Sequence, residues 1–226
     1  MEHSHHINPA FDKALEEMDA LLADMEDAVL AQVVGARQAF QEMSVTMAKG
    51  VRQKDKEVNR LAVLAEDKAV AVLAFHQPLA DDLRHTVGAL KMSIEYERCA
   101  DYVKHLAKSI SKLSAHNETL EVFPSLQRMF EAVEAQVAAA IAARRAGDPE
   151  EAVRVWLKDQ RLDDLCSETV REAFDNQKKG DGNVHSLLHA MSAARNIERI
   201  GDKIKNLMEI LYKQKTGEVL DVKVED

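Results

Sequence analysis

Apolar residues along this chain recur at intervals of three and four, the pattern of helices that bury one face. The clearest run is Met92, Tyr96, Cys99, Val103, Leu106, Ile110 and Leu113, with a strict 4-3-4-3 spacing. A second run, Ala193, Ile197, Ile200, Ile204, Leu207 and Leu211, repeats it 101 residues later. Helix breakers stand between such runs: Pro9, Gly50, Pro78, Pro124, Gly147-Asp148-Pro149, Gly180-Asp181-Gly182 and Gly217. They predict six helical segments, at about residues 9–49, 54–77, 79–114, 124–146, 149–179 and 183–214. The weakly patterned stretch from His116 to Phe123 separates three helices from three. An all-α chain of two tandem three-helix bundles follows, with halves at residues 1–116 and 117–226.

The two halves also share polar positions. At the offset of 101, Glu97-Arg98-Cys99-Ala100-Asp101 falls on Glu198-Arg199-Ile200-Gly201-Asp202, and Lys104 falls on Lys205. At an offset of 104, Asp55-Lys56-Glu57-Val58-Asn59 falls on Asp159-Gln160-Arg161-Leu162-Asp163. Such matches indicate an internal duplication. Glu97 and Asp101, like Glu198 and Asp202, lie about 200° around the helix from the apolar seam, so both pairs are expected on the outer face. Like charges at i and i+4 repel unless a cation or a basic side chain compensates them. Carboxylates converging from two helices supply oxygen ligands to hard cations. In the plainer alternative, Arg98 and Arg199 make ordinary i,i+3 ion pairs with Asp101 and Asp202.

Composition narrows the function classes. The 226 residues include only 8 Gly and 4 Pro, too few to punctuate a many-stranded β fold. With 39 acidic against 30 basic residues the net charge is −9, and aromatics are only 4%, which argues against nucleic acid as a partner. No apolar run approaches the roughly 18 residues of a membrane span, and the first residues lack a signal-peptide pattern, so a cytoplasmic location is expected. Cys99 and Cys166 lie in helical patterns without close spacing, as packed thiols do. Trp156 and the nine methionines sit at helical spacing and are expected in the core. His185 and His189 form an i,i+4 pair without a third ligand in sequence, and His3, His5 and His6 lie at the terminus. The Glu-x-x-His spacing of di-iron bundles occurs only at Glu2 and His5, and nucleotide-binding glycine motifs are absent.

Three further strings carry a family resemblance: Phe11-Asp12-Lys13-x-Leu15-Glu16, Gln77-Pro78-Leu79-Ala80-x-Asp82-Leu83-Arg84, and the doubled Glu-Arg-x-small-Asp motif. Together they resemble the PhoU phosphate-signalling family over nearly the whole chain. The resemblance implies two three-helix bundles with pseudo-twofold symmetry, a homodimer, and bound metal ions or iron or zinc clusters on Glu/Asp-x-x-x-Asp motifs. It also implies a non-enzymatic negative regulator that couples a phosphate ABC transporter to a sensor histidine kinase and represses the phosphate-starvation response. Carried over, one metal site would use Asp55, Glu97 and Asp101, and the other Asp159, Asp163, Glu198 and Asp202. Fe, Zn, Mn and Mg all remain open as the metal. Asn59 stands where the family usually has an acid, and Cys99-Ala100 replaces the more usual Ile-Gly, so the second site is expected to be the tighter. The competing classes are a carboxylate-bridged metalloenzyme, which lacks a general base or histidine near the motifs, and a metal-free helical scaffold.

Overall fold

The computed structural model describes residues 8–115, 123–179 and 183–221, and among them every regular element is helical. Helices α1 (Pro9–Gln41), α2 (Val45–His76) and α3 (Ala80–Ala115) form the first bundle. The second contains α4 (Pro124–Ala146), α5 (Pro149–Leu157), α6 (Gln160–Lys179) and α7 (Val184–Thr216). Helices α5 and α6 together make its middle member, the fifth of six helical stretches, interrupted by a turn at Lys158-Asp159. The sequence reading made this one continuous helix. The expected divide around residues 116–123 and the break at 180–182 lie outside the described residues, apart from Phe123.

Local chemistry explains where helices begin and end. Asn8 caps α1 by accepting from the Ala10 N–H at 3.1 Å, with Pro9 in the first turn. The first break falls at residues 42–44 and not at Gly50, which lies inside α2. A helix tolerates an interior glycine at a cost of about 1 kcal/mol. Ser44 instead sets the new start, its hydroxyl accepting from the Met47 N–H at 3.3 Å after Met43 turns to φ 45°. Gly147 and Gly217 close α4 and α7 in the left-handed conformation.

Every member of both apolar seams is buried. The two motif-bearing helices, α3 and α7, run antiparallel against each other at the junction of the halves. Ser109 and Ser192 share a hydrogen bond at 3.1 Å, and Asn206 donates to Glu95 at 3.1 Å. Across α1 and α4, Phe40 stacks on Phe130 with centroids 4.7 Å apart. The fully buried Glu26 of α1 accepts from Tyr96 at 2.8 Å, Arg145 at 3.0 Å and both Nε and Nη2 of Arg144. A buried carboxylate so paired fixes the relative placement of the bundles, because removing its partners would strand a charge away from water. Among the described residues no helix is long and apolar enough to cross a membrane.

Candidate metal centres

In the second half the turn between α5 and α6 buries Asp159 and places its carboxylate against α7. Gly201 permits that approach: a Cβ there would stand 2.9 Å from Asp159 Oδ1 and 2.7 Å from Leu162 Cδ1. Asp163 follows one turn later on α6, while Glu198 and Asp202 reach in from α7. Burial first, then the charges of Asp159, Glu198 and Asp202, push the Asp163 pKa above the usual carboxylate range. Burial and the charges of Asp159 and Glu198 do the same to Asp202. The four predicted carboxylates therefore feel one another. Lys205 Nζ lies 3.6 Å from Asp159 Oδ2 but also sits over the Trp156 ring, 4.5 Å from its centroid. Trp156 is consequently only partly buried, contrary to its expected core position, and its Nε1 donates to Glu209 at 2.9 Å.

Cys166 borders this cluster, its thiol donating to Glu198 Oε2 at 3.6 Å. Burial and the Glu198 charge push the thiol up to about 11, so it remains protonated near neutral pH.

The first half is built differently. Asp55 on α2 is buried, and Lys104 Nζ bonds its Oδ2 at 2.8 Å and Asp101 Oδ1 at 3.0 Å. Those two bonds raise the lysine pKa, so the ammonium acts as an internal cation. Glu97 and Asp101 are half-buried, as is Glu198, so these acids do not stand clear on the outer face; only Asp202 is exposed. Nor do the arginines pair as the plainer reading expected. Arg98 bonds Glu95 at 3.2 Å, and Arg199 lies over Tyr102, 5.6 Å from its centroid.

The structure adds a residue at the second site that the sequence reading missed, Gln136, and its counterpart in the first half, Gln32, is in the same state. Gln32 on α1 and Gln136 on α4 are buried, and neither amide has a hydrogen-bond partner for its nitrogen or its oxygen. Gln136 Oε1 lies 3.5 Å from the same Gly201 Cβ position that Asp159 Oδ1 approaches. Asp55 Oδ1 and Asn59 Oδ1 are also buried and unpartnered. The signal was present in sequence: Met25-x-x-Ala28-Val29-x-Ala31-Gln32-Val33-x-x-Ala36 recurs as Met129-x-x-Ala132-Val133-x-Ala135-Gln136-Val137-x-x-Ala140, at the offset of 104. Buried unpaired polar atoms are costly, so their concentration here is informative.

As the side chains stand, no three His, Cys, Asp or Glu residues close on one point among the described residues. The donor set of the second half, Asp159, Asp163, Glu198 and Asp202, is nevertheless all oxygen, the chemistry that hard cations accept. The first half fits one less well, because Lys104 already bridges Asp55 and Asp101. His185 is exposed and His189 half-buried beside Lys108 and Lys112, while Glu2, His3, His5 and His6 lie outside the described residues.

The PhoU domain profile matches residues 22–110 and again residues 126–211. The chain belongs to the PhoU family. It is 32% identical over 212 residues to the phosphate-specific transport system accessory protein PhoU homolog of Zymomonas mobilis, covering 94% of this chain and 89% of that protein. It is 29% identical over 208 residues to the phosphate-specific transport system accessory protein PhoU of Escherichia coli K12, covering 92% of this chain and 86% of that one. The crystal structure of PhoU from Pseudomonas aeruginosa superposes with a TM-score of 0.87 at 26% identity, covering 92% of this chain and all of that one. The phosphate transport system regulatory protein PhoU from Streptococcus pneumoniae, at 23% identity and a TM-score of 0.86, shows the same fold over 94% of this chain and 100% of its own. Each of the two matched segments contains one copy of the carboxylate motif.

Proposed function

We propose that this PhoU-family chain is a cytoplasmic accessory protein of phosphate transport, a regulator without catalytic turnover. It would act as an adaptor between a phosphate ABC transporter and a sensor histidine kinase, restraining the starvation response when phosphate is plentiful. Family membership and the names carried by its relatives support the transport role. An adaptor needs contact surface, and the α2–α3 hairpin offers some: Phe75 is 82% exposed and Leu79 78%. Both flank the Gln77-Pro78 turn, where Gln77 and Ala80 hold positive φ angles of 48° and 47°.

The cation reading rests on one observation, the convergence of carboxylates from two helices around the buried Asp159, which lies against α7 at Gly201, where burial and the neighbouring charges raise Asp163 and Asp202. Asp159, Asp163, Glu198 and Asp202 would hold a divalent or ferric ion, and Asp55, Glu97 and Asp101 a weaker counterpart. A bound ion would neutralise the acidic surface of the second half and set the charge that a partner meets. Metal analysis of protein purified without chelator tests this directly. Wild type should carry metal, and the Glu198→Ala/Asp202→Ala variant should lose most of it. Glu97→Ala/Asp101→Ala should lose the smaller share. Metal-free wild type, or variants that regulate normally in cells, would sink the cation reading. Co-purification of a transporter ATPase or sensor kinase from phosphate-replete cells tests the adaptor role separately.

A further inference from the structure

The acidic surface is interrupted along the seam between α3 and α7. Three grooves lie end to end there, in the order set by α3 from Arg84 to Lys112, a run of about 42 Å at the helical rise. The first, about 90 Å³, is lined by Arg84, which pairs with Asp81, and by Lys91 and Lys213 together with Val87 and Ile210. The middle one, about 300 Å³, is lined by Arg98 and Lys203 beside Tyr102. The third, about 370 Å³, holds Lys108 and Lys112. Against these seven Lys and Arg side chains the grooves contain one lining carboxylate, Asp101, which Lys104 already bonds. Glu95 lies beneath the middle groove and pairs with Arg98 and Lys203. The third groove contains no acid. On a chain of net charge −9 this is a segregated cationic band.

The chemistry of the third groove narrows the ligand. Besides its two lysines it is lined by His105, His189, Ser109, Ser192 and Asn196. All seven side chains carry N–H or O–H groups and none is apolar; Ser109 donates to Ser192 and Asn196 to the Ser192 carbonyl, which ties the groove's polar wall together. An acidic partner helix would seek apolar pockets; the third groove presents no apolar side chain, and Val87 and Ile210 line only the small first groove. A lipid surface would meet cations on ridges, whereas these line concave grooves. His105 is shared with the middle groove, so the donor set continues toward Arg98 and Lys203. Several anionic groups in series, each rich in acceptor oxygens, match this layout.

We propose that the α3–α7 seam binds an oligophosphate, a chain of linked phosphate groups, with the groove of Lys108, Lys112, His105 and His189 as its principal seat. The linked phosphates are supplied either by an inorganic chain or by the tail of a nucleoside triphosphate. The principal seat contains none of the cluster carboxylates, although Asp101 of the first cluster lines the middle groove, and binding there does not depend on the clusters holding metal.

Calorimetric titration of EDTA-treated full-length protein at about 0.15 M salt tests it, where exposed charges more than about 8 Å apart are largely screened. Tripolyphosphate should bind at least tenfold more tightly than orthophosphate. ATP binding as tightly assigns the nucleotide source, and weaker ATP binding the inorganic chain; both outcomes support the linked-phosphate chemistry. Lys108→Glu/Lys112→Glu should lose at least tenfold in tripolyphosphate affinity. Lys158→Glu/Arg161→Glu carries the same charge change in the separate 490 Å³ groove beside α4, and should stay within twofold of wild type. Lys108→Gln/Lys112→Gln, expected to lose at least threefold, replaces the reversal should the latter fail to fold by circular dichroism. Undetectable tripolyphosphate binding by wild type overturns the proposal. So does equal loss in both reversal variants, or equal competition by a hexaglutamate peptide.

Discussion

In the first bundle an ammonium closes the carboxylate cluster: Lys104 bonds Asp55 at 2.8 Å and Asp101 at 3.0 Å. In the second bundle the equivalent Lys205 stands 3.6 Å from Asp159 and is shared with the Trp156 ring. Asp163 adds a carboxylate where the first half has Asn59, and Gly201 brings α7 closer to Asp159 where the first half has Ala100. One duplicated pattern has thus diverged into a copy whose lysine bridges two carboxylates and a copy that carries more, and less closely compensated, carboxylate charge. The lesson is that a carboxylate motif does not specify a cation by itself; the nearby lysine decides how much charge is left to bind one.

The largest expected effect breaks the lysine-bridged copy. Lys104→Met leaves Asp55, which is only 4% exposed, without its ammonium. Stranding a buried charge costs about 3–5 kcal/mol, and partial exposure of the lysine lowers the expectation to about 2–3 kcal/mol. Lys205→Met should cost less, about 1 kcal/mol, since its contact with Asp159 is longer, at 3.6 Å, and shared with the Trp156 ring, although the two pairs are equally buried. Urea midpoints of chelator-treated protein check the difference. Equal losses would show that the two lysines do the same work and remove the basis of the contrast.

Next in size is the glycine. Gly201→Ala places a methyl 2.7 Å from Leu162 and 2.9 Å from Asp159, an overpacking expected to cost about 2 kcal/mol. The reverse change in the other copy, Ala100→Gly, should cost about 1 kcal/mol through helix propensity. Thermal unfolding of both variants separates a tight approach, special to the second half, from a general helical preference.

What the sequence disclosed, and what it withheld, follows the same division. The apolar seams were legible because a 4-3-4-3 spacing has one physical solution, and all their members are buried. The doubled acids were legible from the offset alone. The role of Lys104 was not, although its alignment with Lys205 was plain, because an i,i+3 lysine is ordinarily a surface pair and only the packing of α2 shows that it reaches Asp55. The break at Ser44 went to Gly50 because a glycine is conspicuous, whereas a serine caps only if the chain before it turns. Gln32 and Gln136 were visible as a repeat at the offset of 104 but hidden as chemistry, since an amide in an alanine-rich helix points to a site only once its burial is known.

Those amides provide a sharper test. Replacing an unpartnered buried amide by a thioether of similar shape removes an unsatisfied polar group, so Gln32→Met and Gln136→Met should each stabilise metal-free protein by up to about 1 kcal/mol. Their responses to added Mn²⁺ should differ. Gln136→Met should reduce the cation-induced rise in Tm, and Gln32→Met should leave it nearly unchanged, as Lys104 already occupies that copy. Destabilisation by both variants would show that the amides are bonded in solution and would remove the reason to single them out.

The smallest effects carry opposite signs in the two copies, which makes them the most discriminating. In folded, metal-free protein Asp163 and Asp202 hold protons more tightly than the ordinary carboxylate value of 3.8. Their ionisation therefore opposes folding: stability is lost as pH rises through the interval from 3.8 to the raised folded values, and recovered as pH falls through it. Asp202→Asn removes one repelling charge and should stabilise metal-free protein at neutral pH by about 0.5 kcal/mol, a rise of roughly 1–2 °C in Tm. It should also flatten the acid-side recovery. Asp101→Asn removes instead an acceptor of Lys104 and should destabilise by a similar few tenths of a kcal/mol. Saturating Mn²⁺ should reverse the first sign, because the asparagine then lacks the charge that holds the ion, and leave the second unchanged. If both variants shift Tm in the same direction without metal, the two copies balance their charge alike, and the divergence between Lys104 and Lys205 has no energetic consequence.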